Sequence, residues 1–193
     1  MFNVMLDELP DMWEGFPIDT DFRIGVQISQ IMEDKDLSDN EKWATSAELL
    51  FRGIRPDPPY YYDAIMWFLQ EWNHDNNNKK SKDRTRVLDY DIDQWRLYSA
   101  FKAQYGIDLN TVNMHYWQFM GMLTTLNECA FTRVVDVRLK NLRSNMTKEE
   151  KQILNDQKTI YGLEQPQEQI SEDEKVKKRE ALELFEKMRK AQS

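Results

Sequence analysis

Tyr61, Ile65, Phe68 and Trp72 stand at intervals of four, three and four residues, the recurrence of an α-helix that hides one face and wets the other. Such a stripe has to be covered by other elements. Further stripes supply the cover: residues 24, 28 and 31 between Phe22 and Met32, then Leu97, Phe101 and Tyr105, then Phe131, Val135, Leu139 and Leu142. A broader apolar face runs from Thr111 to Asn127, with His115, Phe119, Met122 and Leu126 flanked by Tyr116, Met120 and Leu123. Only six Gly and six Pro punctuate 193 residues, too few turn formers for a many-stranded sandwich or barrel. The expected fold is mainly α, a compact bundle of six or seven helices. A short N-terminal β-hairpin is expected at Met12-Trp13-Glu14-Gly15-Phe16-Pro17-Ile18, where Gly15 permits a two-residue turn and Pro17 tolerates only an edge.

Start and stop signals divide the chain. Ser38-Asp39-Asn40-Glu41, Thr147-Lys148-Glu149-Glu150 and Ser171-Glu172-Asp173-Glu174 fit the capping box, in which the hydroxyl takes an orphan amide and the Glu carboxylate reaches back. Trp43, Ala47 and Leu50 form the expected buried face after the first box. Asp57 before Pro58 is an expected cap and helix start, whereas Gly106 and Gly162 are placed to end helices. Residues 73–86 contain no apolar side chain until Val87, so nothing offsets the entropy of ordering them, and a mobile polar loop is expected. The expected organisation is a helical core domain over 1–163 and a charged helical appendage over 164–193, entered through Gln165-Pro166-Gln167. In the appendage the apolar stripe is narrow, chiefly Ala181, Leu184, Phe185 and Met188, and such a helix is marginal alone in water. It must dock on something. Leu184, Phe185 and Met188 are therefore the candidate partner-binding residues.

The inventory for chemistry is short. Thirty-four acids oppose 26 bases for a formal charge of -8, and no apolar run approaches the roughly 18 residues of a membrane span. The single Cys129 cannot form an internal disulfide, and the start lacks the basic and apolar regions of a signal peptide, so a reducing cytoplasm is expected. Cys129 follows an apolar stretch and reads as a small core hydrophobe. The two histidines are His74, in an Asn-rich stretch, and His115, among Tyr116, Trp117 and Phe119. A core histidine with satisfied ring nitrogens accounts for the second. Asp89, Asp91 and Asp93 alternate as calcium-loop ligands do, yet Gln94 stands where that loop needs Gly and Ala100 where it needs an acid. Charge at a helix start explains them better. Lys79, Lys80, Lys82, Arg84 and Arg86 form one basic cluster without interleaved aromatics, and residues 1–59 carry thirteen acids against five bases, a field that repels a phosphate backbone. No zinc-spaced pair, phosphate loop or nucleophile elbow occurs. The expectation is a non-enzymatic protein without metal, cofactor, nucleic acid or membrane partner.

Phe16-Pro17-Ile18-Asp19-Thr20-Asp21-Phe22-Arg23, Leu37-Ser38 with Glu41-Lys42, Tyr105-Gly106-Ile107-Asp108-Leu109 and His115-Tyr116-Trp117-Gln118-Phe119 together resemble a bacteriophage family named after gene product fifteen. The charged stretch between Trp67-Phe68 and Asp89-Tyr90-Asp91 fits the same layout, and the resemblance covers most of residues 16–163. It implies a small helical protein of the tail region, encoded close before the tape-measure protein of phages of Gram-positive hosts. The expected role is a tail assembly chaperone that binds the tape-measure protein in the host cytoplasm, with self-association as a further option. The alternative is a structural virion protein of the tail or connector region.

Overall fold

The structure, a computed structural model, describes residues 2–76 and 86–163. The chain divides into two compact units, Met1–Asp136 and Val137–Ser193. The first unit opens with the antiparallel hairpin of β1 (Met12–Trp13) and β2 (Phe16–Pro17). It continues through α1 (Phe22–Glu33), α2 (Asp39–Leu50), α3 (Tyr61–Gln70), α4 (Gln94–Tyr105) and α5 (Tyr116–Thr124), and α6 (Ala130–Leu139) carries the chain across the division. In the second unit α7 spans Lys148–Tyr161. Among the described residues the chain is mainly α, with seven α-helices and the expected hairpin.

The first unit is built around aromatic side chains. Phe22 stacks on Phe119 with ring centres 4.8 Å apart, and Phe119 stacks on Phe101 at 5.1 Å, so one row of rings ties α1, α5 and α4. Phe68 on α3 stacks on Tyr116 at 5.1 Å, and its carbonyl accepts the buried Trp117 indole N–H at 2.7 Å. A buried Trp therefore finds the polar partner it needs without opening the core. Of the apolar stripe on α3, Tyr61, Ile65 and Phe68 are buried, with Ala64 beside them. Trp72 lies half-buried in the 3₁₀ turn that follows α3, before the chain kinks at Asn73 (φ -132°, ψ 59°) within Glu71–Asn76.

Local signals place most boundaries. Both expected capping boxes within the described residues form, at Ser38–Glu41 and Thr147–Glu150, and Gly106 ends α4 at φ 71° while its N–H reaches the Lys102 carbonyl. Ile107 folds back onto the core as expected. Gly162 caps α7 in an extended conformation. The third box, at Ser171, and the whole expected appendage lie outside the described residues, as do residues 77–85 of the expected loop.

Several expectations are corrected. Asp57 precedes a 3₁₀ turn, Pro58–Tyr60, rather than an α-helix, and its side chain makes no capping bond; successive prolines tighten the entry before α3 begins. In α1 the buried face is Phe22, Gly25 and Ile28, with Ile24 only half-buried, because the Tyr116 ring lies directly against Gly25 and turns that face inward. In α2 Ser46 joins Ala47 and Leu50 inside, and Trp43 is half-buried edge-on to Tyr62. The helix expected from Thr111 starts only at Tyr116, since residues before it bond laterally to the start of α1. On α6 the buried residues are Phe131, Val134 and Arg138, while Leu139 and Leu142 are each half exposed. Arg138 stays inside because its Nε donates to the Tyr161 carbonyl at 2.8 Å, the partner a buried cation requires. Arg86, assigned above to the polar loop, is held by Glu33 and by Asp89 at 2.9 Å.

Candidate functional site

The most elaborated polar arrangement lies where the entry to α1 meets the entry to α5. The Phe22 N–H donates to the Met114 carbonyl at 2.9 Å and the Tyr116 N–H to the Thr20 carbonyl at 2.8 Å, so Asp21 and His115 pair as in a minimal antiparallel bridge. Asp21 caps α1 by accepting the Arg23 N–H at 2.9 Å. The Arg23 guanidinium forks onto both Asp21 oxygens at 3.0 and 3.1 Å and reaches the carbonyls of Leu109 at 2.7 Å and Val112 at 3.1 Å. One planar cation thereby fixes a helix start and a loop nearly ninety residues away in sequence. Asp19 pairs with Arg52 at 3.1 Å.

His115 completes this seam. Its Nδ1 accepts the Trp117 N–H at 3.0 Å as the N-cap of α5, and its Nε2 lies 2.9 Å from the Pro10 carbonyl. A carbonyl only accepts, so Nε2 carries the proton and the ring is neutral. Burial pushes the imidazole below its ordinary value, with the Pro10 carbonyl opposing more weakly. Both ring nitrogens are satisfied as expected, but His115 is half-buried at a helix cap rather than a core residue on a helix face. An open cleft of about 780 Å³ borders the seam, lined by Asp19, Asp21, Arg23, Arg52 and His115 among others. Its cations face their own carboxylates and both imidazole nitrogens are bonded. The cleft presents neither a free base nor an activated nucleophile.

The remaining candidates resolve into structural roles. Asp89 accepts the N–H groups of Asp91 and Ile92 in a tight turn, and the fully buried Asp93 takes the Arg96 guanidinium at 2.9 Å and the Asp89 N–H at 3.2 Å. Two of the three alternating acids thus shape the approach to α4. Among the described residues no group of three or more His, Cys, Asp and Glu could hold a metal ion, and no helix is long and apolar enough to cross a membrane. Cys129 is half-buried beside the start of α6, where its N–H donates to Thr132 Oγ1 at 2.8 Å. Burial pushes the Tyr116 phenol up to about 12 and raises Tyr90 further, in a network that includes Ser29. Both hydroxyls stay protonated, with Tyr90 donating and Tyr116 accepting from Ser29 and Tyr90. The side chain of His74, and the candidate partner-binding residues Leu184, Phe185 and Met188, lie outside the described part of the chain.

Sequence reasoning missed a different feature, the ordered apolar side chains left uncovered. Asn3 and Asp7 clamp a turn at both ends, with the Asn3 N–H on Asp7 Oδ2 at 2.7 Å and the Met5 N–H on Asn3 Oδ1 at 2.9 Å. The turn displays Val4, Met5 and Leu6 at 66, 85 and 82% exposure. Phe2 anchors it edge-on to Trp117 at 5.1 Å. A second such place is the approach to α4, where Ile92 is 56% and Trp95 71% exposed. Neither position departs from the helical pattern in a way that separates a surface apolar residue from a core one.

The described residues form a mainly helical scaffold whose seam side chains bind its own backbone, and which leaves apolar side chains exposed at Val4–Leu6 and at Ile92 and Trp95. The chain matches the family described as bacteriophage Gp15 protein over residues 5–163 and belongs to it; it is a bacteriophage protein. No curated protein and no solved structure matches. Two of the motifs that carry the resemblance, Phe16 to Arg23 and His115 to Phe119, meet at the seam through Thr20–Phe22 and Met114–Tyr116.

Proposed function

We propose that this phage protein is a tail assembly chaperone, which binds the tape-measure protein in the cytoplasm of the infected host while the tail is built and acts without catalysis. The observation that carries the reading is the pair of ordered, solvent-exposed apolar sites, Val4-Met5-Leu6 and Ile92 with Trp95. Clustered exposed apolar side chains in a charged protein are the usual mark of a contact surface. A long helical client shows apolar stripes until the tail tube encloses it, and flexible methionine, of which this chain has ten, suits a surface that must fit varied side chains. Leu184, Phe185 and Met188 belong to the same proposal, as a further stripe offered to the client or to a second copy.

Co-expression with the tape-measure protein tests the reading. The full chain should keep the client soluble and co-purify with it, and a chain truncated after Leu163 should stay folded with a nearly unchanged melting temperature yet lose client binding or self-association. Purified particles should lack the protein. Its stoichiometric presence there would replace the chaperone by a structural virion protein of the tail or connector region.

A further inference from the structure

A second groove lies on the hairpin, away from the seam. Trp13 and Phe16 face each other across β1 and β2, and both rings rest edge-on against the buried Phe51, at 6.3 and 6.1 Å. Their floor is therefore rigid. Pro56, itself buried, and the half-exposed Tyr60 also line the groove, around an open space of about 480 Å³. Three aromatic rings and a proline make the groove apolar along its length, and three charged residues, Glu14, Arg55 and Asp57, stand at its rim.

Two of those charges are oddly placed for a purely structural role. Glu14 occupies the hairpin turn at φ 49°, with Gly15 at 86°. That turn demands positive φ at both central positions, where Asn, Asp or Gly cost less. Backbone held this way by a residue ill suited to it is a recognised companion of binding sites. Asp57 stands at a helix-cap position without capping. Neither carboxylate has an ion pair among the described residues, nor has Arg55.

We infer that this groove docks an extended, proline-containing segment of another polypeptide that carries an arginine or lysine. Aromatic slots receive polyproline helices because the ligand is already extended and loses little entropy on binding. Two carboxylates without an ion pair among the described residues flank those rings and favour a cation, which gains from the faces of Trp13 and Tyr60 as well. Arg55 supplies a donor for a ligand carbonyl, of which an extended chain has many free. A helical ligand fits less well: its anchors at i, i+3 or i+4, and i+7 need a trough of roughly 10 Å at 1.5 Å per residue, and a space of 480 Å³ holds about one turn of a helix.

The test uses the full chain labelled with nitrogen-15 and three synthetic probes: an oligoproline peptide ending in arginine, the same peptide ending in glutamate, and a Leu/Lys amphipathic helix. The arginine probe should move the Trp13 indole signal and the amides of Gly15 and Tyr60, saturably and less so at high salt. Tyr60→Ala should weaken binding at least about fivefold, as loss of an interface aromatic does, without changing the melting temperature. Glu14→Gln combined with Asp57→Asn should abolish the preference for the arginine over the glutamate ending. Absence of shifts at Trp13 overturns the inference, as does unaltered affinity in Tyr60→Ala or tighter binding of the helical probe at these same residues.

Discussion

The seam between α1 and α5 and the helix α7 are both well-formed helical regions, but they are held by different forces. At the seam the stabilising contacts are distant in sequence: Arg23 with Leu109 and Val112, Tyr116 against Gly25, Phe22 on Phe119. In α7 they are mostly local, the Arg138 bond to the Tyr161 carbonyl and the burial of Leu154 apart. Thr147 and Glu150 cap it, Glu149 and Glu150 complement its positive end and Lys158 its negative end, while Leu154 is its one buried residue and Ile153 and Ile160 are 58 and 70% exposed. A region fixed by long-range packing fails as a whole when one contact is spoiled. A region fixed by local bonds frays by small increments and keeps apolar side chains open to partners.

The largest expected effect that can break this contrast is at Gly25. A methyl group there would overlap the Tyr116 ring. Alanine gains about 1 kcal/mol in helix propensity, but forcing an extra carbon into a packed interface costs about 3 kcal/mol. Gly25→Ala should therefore lose about 2 kcal/mol net, read by denaturant unfolding, and the first unit should lose its structure in one step. A stabilised variant would mean that the Tyr116 ring yields freely and that the seam is not tightly packed. In α7 the comparable change is gentler. Thr147→Ala removes one cap and should cost about 1 kcal/mol, seen as lost helical ellipticity from the second unit with the near-ultraviolet signal of the Trp-rich first unit unchanged.

Acid sharpens the comparison further, with a smaller effect confined to the seam. Protonated at Nδ1, His115 could no longer accept the Trp117 N–H. Because its folded pKa lies below the ordinary value, the unfolded chain takes up the proton first as pH falls. The stability tied to neutral His115 is fully present above about pH 6.5, drains as pH falls below that, and is gone once the depressed folded value is passed. Melting temperatures compared between the chain and His115→Asn should converge across that interval. Asparagine can accept the same amide but does not titrate. A constant gap across the interval would show that the imidazole cap has no part in acid sensitivity.

The same contrast explains how much could be read in advance. Features with local causes were legible: the Ser38 and Thr147 boxes, the Gly106 stop, the Glu14-Gly15 hairpin and the mainly α character. Features with distant causes were not. Nothing near Gly25 in sequence announces that Tyr116 will lie on it, so the pattern points to Ile24 and Ile31 where Gly25 and Phe22 are buried, with only Ile28 in common. Nothing near His115 announces that Thr20 and Phe22 will hold the chain extended and delay α5. The exposed apolar sites were least legible, because Trp95 and Met5 carry the same apolar signal as a core residue and only the finished packing shows them 71 and 85% exposed among the described residues.

Native-state hydrogen exchange resolved by residue tests most directly the claim that the family's motif residues hold the fold and that the open regions are left for partners. Amides of Phe22–Ser29 and Phe119–Leu123 should exchange slowest, through global unfolding alone, whereas amides of α7 should exchange through a smaller local opening and at rates that Gly25→Ala leaves nearly unchanged. Equal protection in both regions, or α7 slower than the seam, would contradict the account.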